Sequence, residues 1–163
     1  MSRLVPTRGL LVSVSVIALA IAACSSAQSS PSPAAAGASQ AGATGGTAVV
    51  VKLEEWTVEP ATDSVAAGNV TFEVTNAGPN NMHELVILKT DLDPAALPTG
   101  SSGMVTETAA GIEVLDEIED IAVGADRELT VTLAAGKYAL VCNLYDAGAH
   151  YKAGMWTAFT VTE

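Results

Sequence analysis

NVTFEVTNAG, residues 69–78, alternates without a break, with Val70, Phe72 and Val74 on one face of an extended chain and Thr71, Glu73 and Thr75 on the other. A period of two fits a half-buried strand and no helix. The same β-rich texture recurs in TAVVVKLEEW (47–56), HELVILKT (83–90), ELTVTL (128–133), KYALVC (137–142) and MWTAFTVT (155–162). Turn-forming stretches separate these runs: AAGN at 66–69, NAGPNN at 76–81, VGAD at 123–126 and AAGK at 134–137. Short strands at this spacing predict an all-β fold, an antiparallel sandwich or Greek-key barrel. Residues 91–112, rich in Asp, Pro, Gly and Ser, form a longer insertion with room for a short helix.

Not all of the chain is available to that fold. Arg3 and Arg8 precede an almost wholly apolar run, Gly9 to Ala22, which ends in Ile21-Ala22-Ala23-Cys24. Small residues before a cysteine resemble the lipobox of bacterial lipoproteins, where cleavage before the cysteine follows diacylation of its thiol. An ordinary secretory signal and an uncleaved anchor helix are the alternatives, but the run is short for a membrane span. Residues 1–23 are thus expected to be a lipoprotein signal peptide, with Cys24 the lipidated residue and the protein held outside the cytoplasm by that anchor alone. After Cys24, the stretch to residue 47 is Ser, Ala, Gly, Pro and Gln with two Thr and no charge. Residues 24–47 offer too little apolar surface to offset their ordering entropy and should act as a flexible linker, with a random-coil reach of roughly 25–30 Å. Residues 48–163 remain as one domain of ordinary size.

Without Arg3 and Arg8, five basic residues face eighteen acidic ones, a net charge of −13. That excludes nucleic acid or an anionic membrane surface as a natural partner. Glu113, Asp116, Glu117, Glu119 and Asp120 concentrate part of the charge, as a solvated acidic edge or as a face for a basic partner.

The cysteines narrow the chemistry further. With Cys24 lipidated, Cys142 has no partner for a disulfide, and a lone thiol in an exported protein needs protection. A bound metal provides it. The chain has two histidines, His83 at the start of a strand and His150 in the loop after Cys142, and Met155 follows five residues later. At the ends of strands in a sandwich, all four side chains can converge. Two imidazoles, a thiolate and a weak axial thioether form the copper electron-transfer ligand set. Zinc would accept the first three and leave the methionine unused. Taken singly, each residue also has a bland reading, as a packed thiol, a satisfied histidine or a core methionine.

GKYALVCN, His150 and GM, preceded by AGNVTFEVTNAG and His83, resemble the cupredoxin family of blue copper proteins over about Val49 to Val161. The resemblance implies a Greek-key β-sandwich holding one copper, cycling between Cu(I) and Cu(II), with His83, Cys142, His150 and Met155 as ligands and Glu84 and Asn143 beside them. Two departures stand out. Seven residues separate Cys142 from His150, a longer loop than in small members of the family. Glu84 follows the first histidine where many members have an Asn that ties the ligand loops together; a carboxylate can accept such bonds but adds negative charge, favouring Cu(II) unless it is protonated or paired.

The function so implied is one-electron transfer, with electrons passing the edge of His150. Pro79, Met82, Ala147, Ala149 and Tyr151 would form a small apolar rim for a redox protein partner. Copper binding without electron traffic, as an extracytoplasmic chaperone, buffer or sensor, is the second reading, with Met82 and Met104 as further soft contacts. An enzyme is not expected. A catalytic copper needs more histidines, a two-copper thiolate centre needs a second cysteine, and a Cys142–His150 nucleophile pair leaves His83 and Met155 idle.

Overall fold

The alternation seen in residues 69–78 appears in the computed structural model as a long strand whose buried positions are Val70, Phe72, Val74, Asn76 and Gly78. The structure describes residues 46–163, so the signal peptide, Cys24 and nearly all of the linker lie outside the described residues. Nine strands form two sheets. They are β1 (Thr47–Glu54), β2 (Thr57–Pro60), β3 (Ser64–Ala66), β4 (Gly68–Gly78), β5 (His83–Lys89), β6 (Glu113–Ile121), β7 (Asp126–Leu133), β8 (Gly136–Val141) and β9 (Trp156–Thr162). One sheet has the order β2-β1-β4-β7, the other β3-β9-β8-β5-β6.

Val49, Val51, Leu53, Val70, Phe72 and Val74 from the first sheet meet Leu85, Ile87, Tyr138, Leu140, Phe159 and Val161 from the second in one core. Phe72 and Phe159 pack edge to face across it, 5.8 Å between centroids. The outer face of the first sheet is polar: Thr71 bonds Thr130, Thr75 donates to Asp126 and Thr132 to Asn69.

The sandwich is all-β as expected, but its sheets are mixed. β1 pairs in parallel with β4, and β3 with β9. A parallel neighbour requires a crossover, and β2 and β3 supply it by carrying the chain from one sheet to the other between β1 and β4. Those two short strands were not anticipated, nor was β6. Its acidic residues interrupt any clean alternation, and they are tolerated because β6 is an edge strand, where charge blunts further pairing. The acidic cluster of residues 113–120 therefore lies along a sheet edge.

The insertion, residues 90–112, contains a single 3₁₀ turn at Pro94–Ala96, capped by the Asp93 carboxylate, which accepts from the Ala95 N–H at 2.9 Å. β5 is buried on both faces, Leu85 and Ile87 toward the core and Val86 and Leu88 beneath Leu97, Val105 and Tyr151. The insertion thus covers the outside of the second sheet beside the strands that lead into His83 and Cys142. Among the described residues, no helix is long and apolar enough to cross a membrane.

Candidate metal centre

Strand register places two of the four residues. β8 and β9 pair antiparallel up to Val141 opposite Trp156. One rung further, Cys142 must face Met155, and the ladder continues there with the Cys142 N–H donating to the Met155 carbonyl at 3.0 Å. The loop between them closes on itself. The His150 N–H donates to Leu144 O, a helical turn α1 (His150–Ala153) follows, and the Met155 N–H donates to His150 O at 3.1 Å. Gly154 ends that turn at φ 121°, a conformation that side chains resist, and a Cβ there would lie 3.1 Å from the Trp56 carbonyl oxygen.

His83 arrives from β5, 59 residues before Cys142. Its Nδ1 lies 3.8 Å from Cys142 Sγ, the Nδ1 of His150 3.3 Å from the same sulfur, and the two Nδ1 atoms 3.3 Å from each other. All three residues are buried, as is Met155. Bonds of about 2.0 Å to nitrogen and about 2.3 Å to sulfur are typical of such donors. Each edge of the triangle is shorter than two such bonds, so one ion can reach all three atoms at once. The donor set and its spacing fit a metal ion.

The surroundings favour the neutral forms of Cys142 and His83. Burial pushes the Cys142 thiol up to about 12, against the opposing pull of the Glu84 and Leu144 amides. Burial, followed by the neighbouring His150, holds His83 below the ordinary imidazole value. The Glu84 N–H points at Cys142 Sγ, 3.4 Å away. Metal uptake must therefore displace the thiol proton.

Glu84 follows His83 in the chain, and Asn143 follows Cys142. Glu84 Oε1 accepts from the Asn143 N–H at 2.8 Å, joining the start of β5 to the residue after Cys142. Burial raises the Glu84 carboxyl to about 7; the Asn143 amide opposes that shift, while Glu117, Glu107 and Glu119 add to it. The Asn143 side chain accepts from Val105 N–H at 2.6 Å and donates to Val105 O and Glu107 Oε1, so the insertion is bonded to the ligand loop.

The rim differs from the sequence expectation. Pro79, Met82 and Ala147 are exposed, but Ala149 and Tyr151 are buried. The Tyr151 hydroxyl donates to Pro94 O and accepts from the Leu97 N–H, both at 2.8 Å, so its ring serves the insertion. His150 is only 1% exposed, and no open imidazole edge reaches solvent. Asp146 Oδ1 comes within 3.4 Å of its Nε2, close enough for an ion pair but outside hydrogen-bond alignment, so that nitrogen remains without a partner. Met104 sits in the insertion, where its carbonyl accepts from the Gly100 N–H.

Two residues at the site escaped sequence reading, Glu55 and Trp56 in the β1–β2 turn. Glu55 Oε1 accepts from the N–H groups of Asn80 (2.8 Å) and Asn81 (2.6 Å), just before His83. Burial raises its carboxyl pKa, and these amides more than reverse the effect, leaving it below the ordinary value. The Trp56 indole meets the His150 ring edge-on, 5.1 Å between centroids. Glu-Glu-Trp reads as the end of a strand, and no local pattern marks it as part of a site.

No family model matches the chain, and no curated protein matches it. Among solved structures, dithionite-reduced auracyanin from the photosynthetic bacterium Roseiflexus castenholzii is similar at a TM-score of 0.52 and 22% identity, over 72% of this chain and 98% of that one. Auracyanin B is similar at 0.50 and 22%, over 72% and 89%. The likeness is one of fold, and the fold is the one that the sequence resemblance implied.

Proposed function

We propose that this chain, with its cupredoxin fold, is a type 1 copper protein that carries single electrons between redox partners outside the cytoplasm, tethered to a membrane through Cys24. The observation that carries the reading is the buried convergence of Cys142 Sγ with the Nδ1 atoms of His83 and His150, with Met155 tied by backbone bonds to Cys142 and His150. Copper bound there supplies a one-electron Cu(I)/Cu(II) couple.

The chain's own part is to hold the donors still and dry. The β8–β9 ladder fixes Cys142 against Met155, the Glu84 N–H steadies the sulfur, and the Glu84–Asn143 bond locks the two ligand segments together. Such second contacts orient ligands and tune a metal site. Water is excluded, since all four residues are buried. A frame that moves little between two charge states suits electron exchange. The same burial speaks against a copper chaperone or buffer, which must open its site to hand metal on. The strong negative charge favours a basic redox partner and an association rate that falls with salt.

The test is the visible and EPR spectrum of the chain after addition of Cu(II). An intense thiolate-to-copper band with narrow copper hyperfine splitting is expected. A weak spectrum from nitrogen and oxygen ligands alone would end the electron-transfer reading. Rapid self-exchange between oxidised and reduced protein is expected in place of stoichiometric copper transfer to an acceptor. For the tether, Cys24→Ser should move the protein out of the membrane fraction, and unchanged fractionation would refute it.

A further inference from the structure

His83 and His150 are 67 residues apart, and no strand pairing joins their segments directly: the β5–β8 ladder stops at Val86 opposite Val141. The Glu84–Asn143 bond ties β5 to the residue after Cys142 but does not reach His150, so a further hold keeps the two imidazoles 3.3 Å apart. The β1–β2 turn, which comes from the opposite sheet, touches both sides. Glu55 grips the segment before His83 through the Asn80 and Asn81 amides. Trp56 lays its ring against His150, with the planes inclined at 70°, and its carbonyl oxygen lies where a Cβ on Gly154, at the end of α1, would come within 3.1 Å.

Trp56 is 40% exposed, so its ring is not there to fill the core. Glu55 Oε2 is buried without a hydrogen-bond partner, as are the Nε2 atoms of both histidines. A carboxylate oxygen buried without a hydrogen-bond partner is costly. The arrangement makes sense if its purpose is to keep the two histidine segments closed.

We propose that Glu55 and Trp56 are positioning residues of the metal centre, a clasp that holds the segments of His83 and His150 together and sets how fast the site releases its metal. The inference rests on the metal-binding reading above.

The test uses the full chain loaded with Cu(II) and challenged with excess EDTA, with decay of the thiolate-to-copper band as the readout. Glu55→Ala and Trp56→Ala should each release copper about 10- to 100-fold faster, the usual scale for loss of a partner that orients metal ligands. Glu55→Gln, which keeps an acceptor for the two amides, and Trp56→Phe, which keeps a ring edge, should restore slow release. Zn(II) displaced by a chromophoric chelator should rank the variants in the same order with no redox step involved. Trp56→Leu, which keeps apolar cover without the ring, replaces Trp56→Ala if that variant fails to fold. Wild-type protein that binds neither metal would overturn the metal-centre reading itself. Wild-type binding with all variants within about twofold of its release rate would overturn the clasp alone, as would fast release that Glu55→Gln and Trp56→Phe do not rescue.

Discussion

Asn143→Ala tests whether the insertion is bonded to the ligand loop strongly enough to matter. The Asn143 side chain makes three bonds, two of them to the buried backbone of Val105. Truncation leaves the Val105 N–H and C=O without partners beneath the second sheet. Each unsatisfied buried group costs about 1–3 kcal/mol, and partial access of water from the side of Glu107 relieves some of it. The expected loss is about 2–4 kcal/mol, a large part of a typical domain's stability. With a urea slope of about 1.5 kcal/mol per molar, the unfolding midpoint of the metal-free protein should fall by roughly 1.5–2.5 M with the slope unchanged. Asn143→Asp sharpens the test. It keeps the acceptor for the Val105 N–H but turns a second carboxylate oxygen toward Val105 O and the Glu107 carboxylate, so it should fare no better than alanine. A midpoint shift below about 0.3 M for either variant would show that the insertion merely rests on the sheet and that the bonds to Asn143 contribute nothing net.

Three further outcomes are expected. Phe72→Ala, which removes half of the aromatic pair at the centre of the sandwich, should cost about 3–5 kcal/mol by denaturation; a loss under about 1 kcal/mol would mean the core collapses around the gap. Glu84 has a folded value of about 7 against an ordinary 4.5, so the stability linked to its proton is full below about pH 4.5 and is lost as pH rises through about 7. The difference is at most about 3 kcal/mol; in the metal-free protein Glu84→Gln should flatten the stability profile across that window, and an unchanged profile would assign the slope to other groups. Because the Cys142 thiol is pushed up to about 12, Zn(II) uptake at neutral pH should release close to one proton, seen as a buffer-dependent heat in calorimetry. No proton release would show that the sulfur does not bind.

The insertion gives the protein a feature that a bare sandwich lacks. β5 and β8 lead into His83 and Cys142 and are buried on both faces, so the segments that position the site are shielded by the core on one side and by Leu97, Val105 and Tyr151 on the other. Tyr151, one residue after His150, is the peg that fixes the insertion over the ligand turn.

By itself, the sequence determined what depends on short-range periodicity. The alternation in residues 69–78 and the later β-rich runs specify strands whose one face must be buried, whereas the pairing that sets Cys142 opposite Met155 belongs to the structure. The sequence also presented the donor chemistry, since the chain has only two histidines, His83 and His150, and one cysteine beyond the N-terminal segment, with Cys142, His150 and Met155 close together between two β-rich runs. Tertiary structure alone decided the rest. The 3.3 Å between His83 and His150 depends on how two sheets pack, and no local pattern encodes a distance across 67 residues. The burial of Tyr151 and His150 depends on an insertion whose path is irregular, and the service of Glu55 and Trp56 to the site depends on a turn in the opposite sheet. β6 was hidden because an edge strand carries charge where an interior one would show alternation. Periodicity reports which face of an element is buried; which elements meet, and at what distance, is settled only when the two sheets close on a common core.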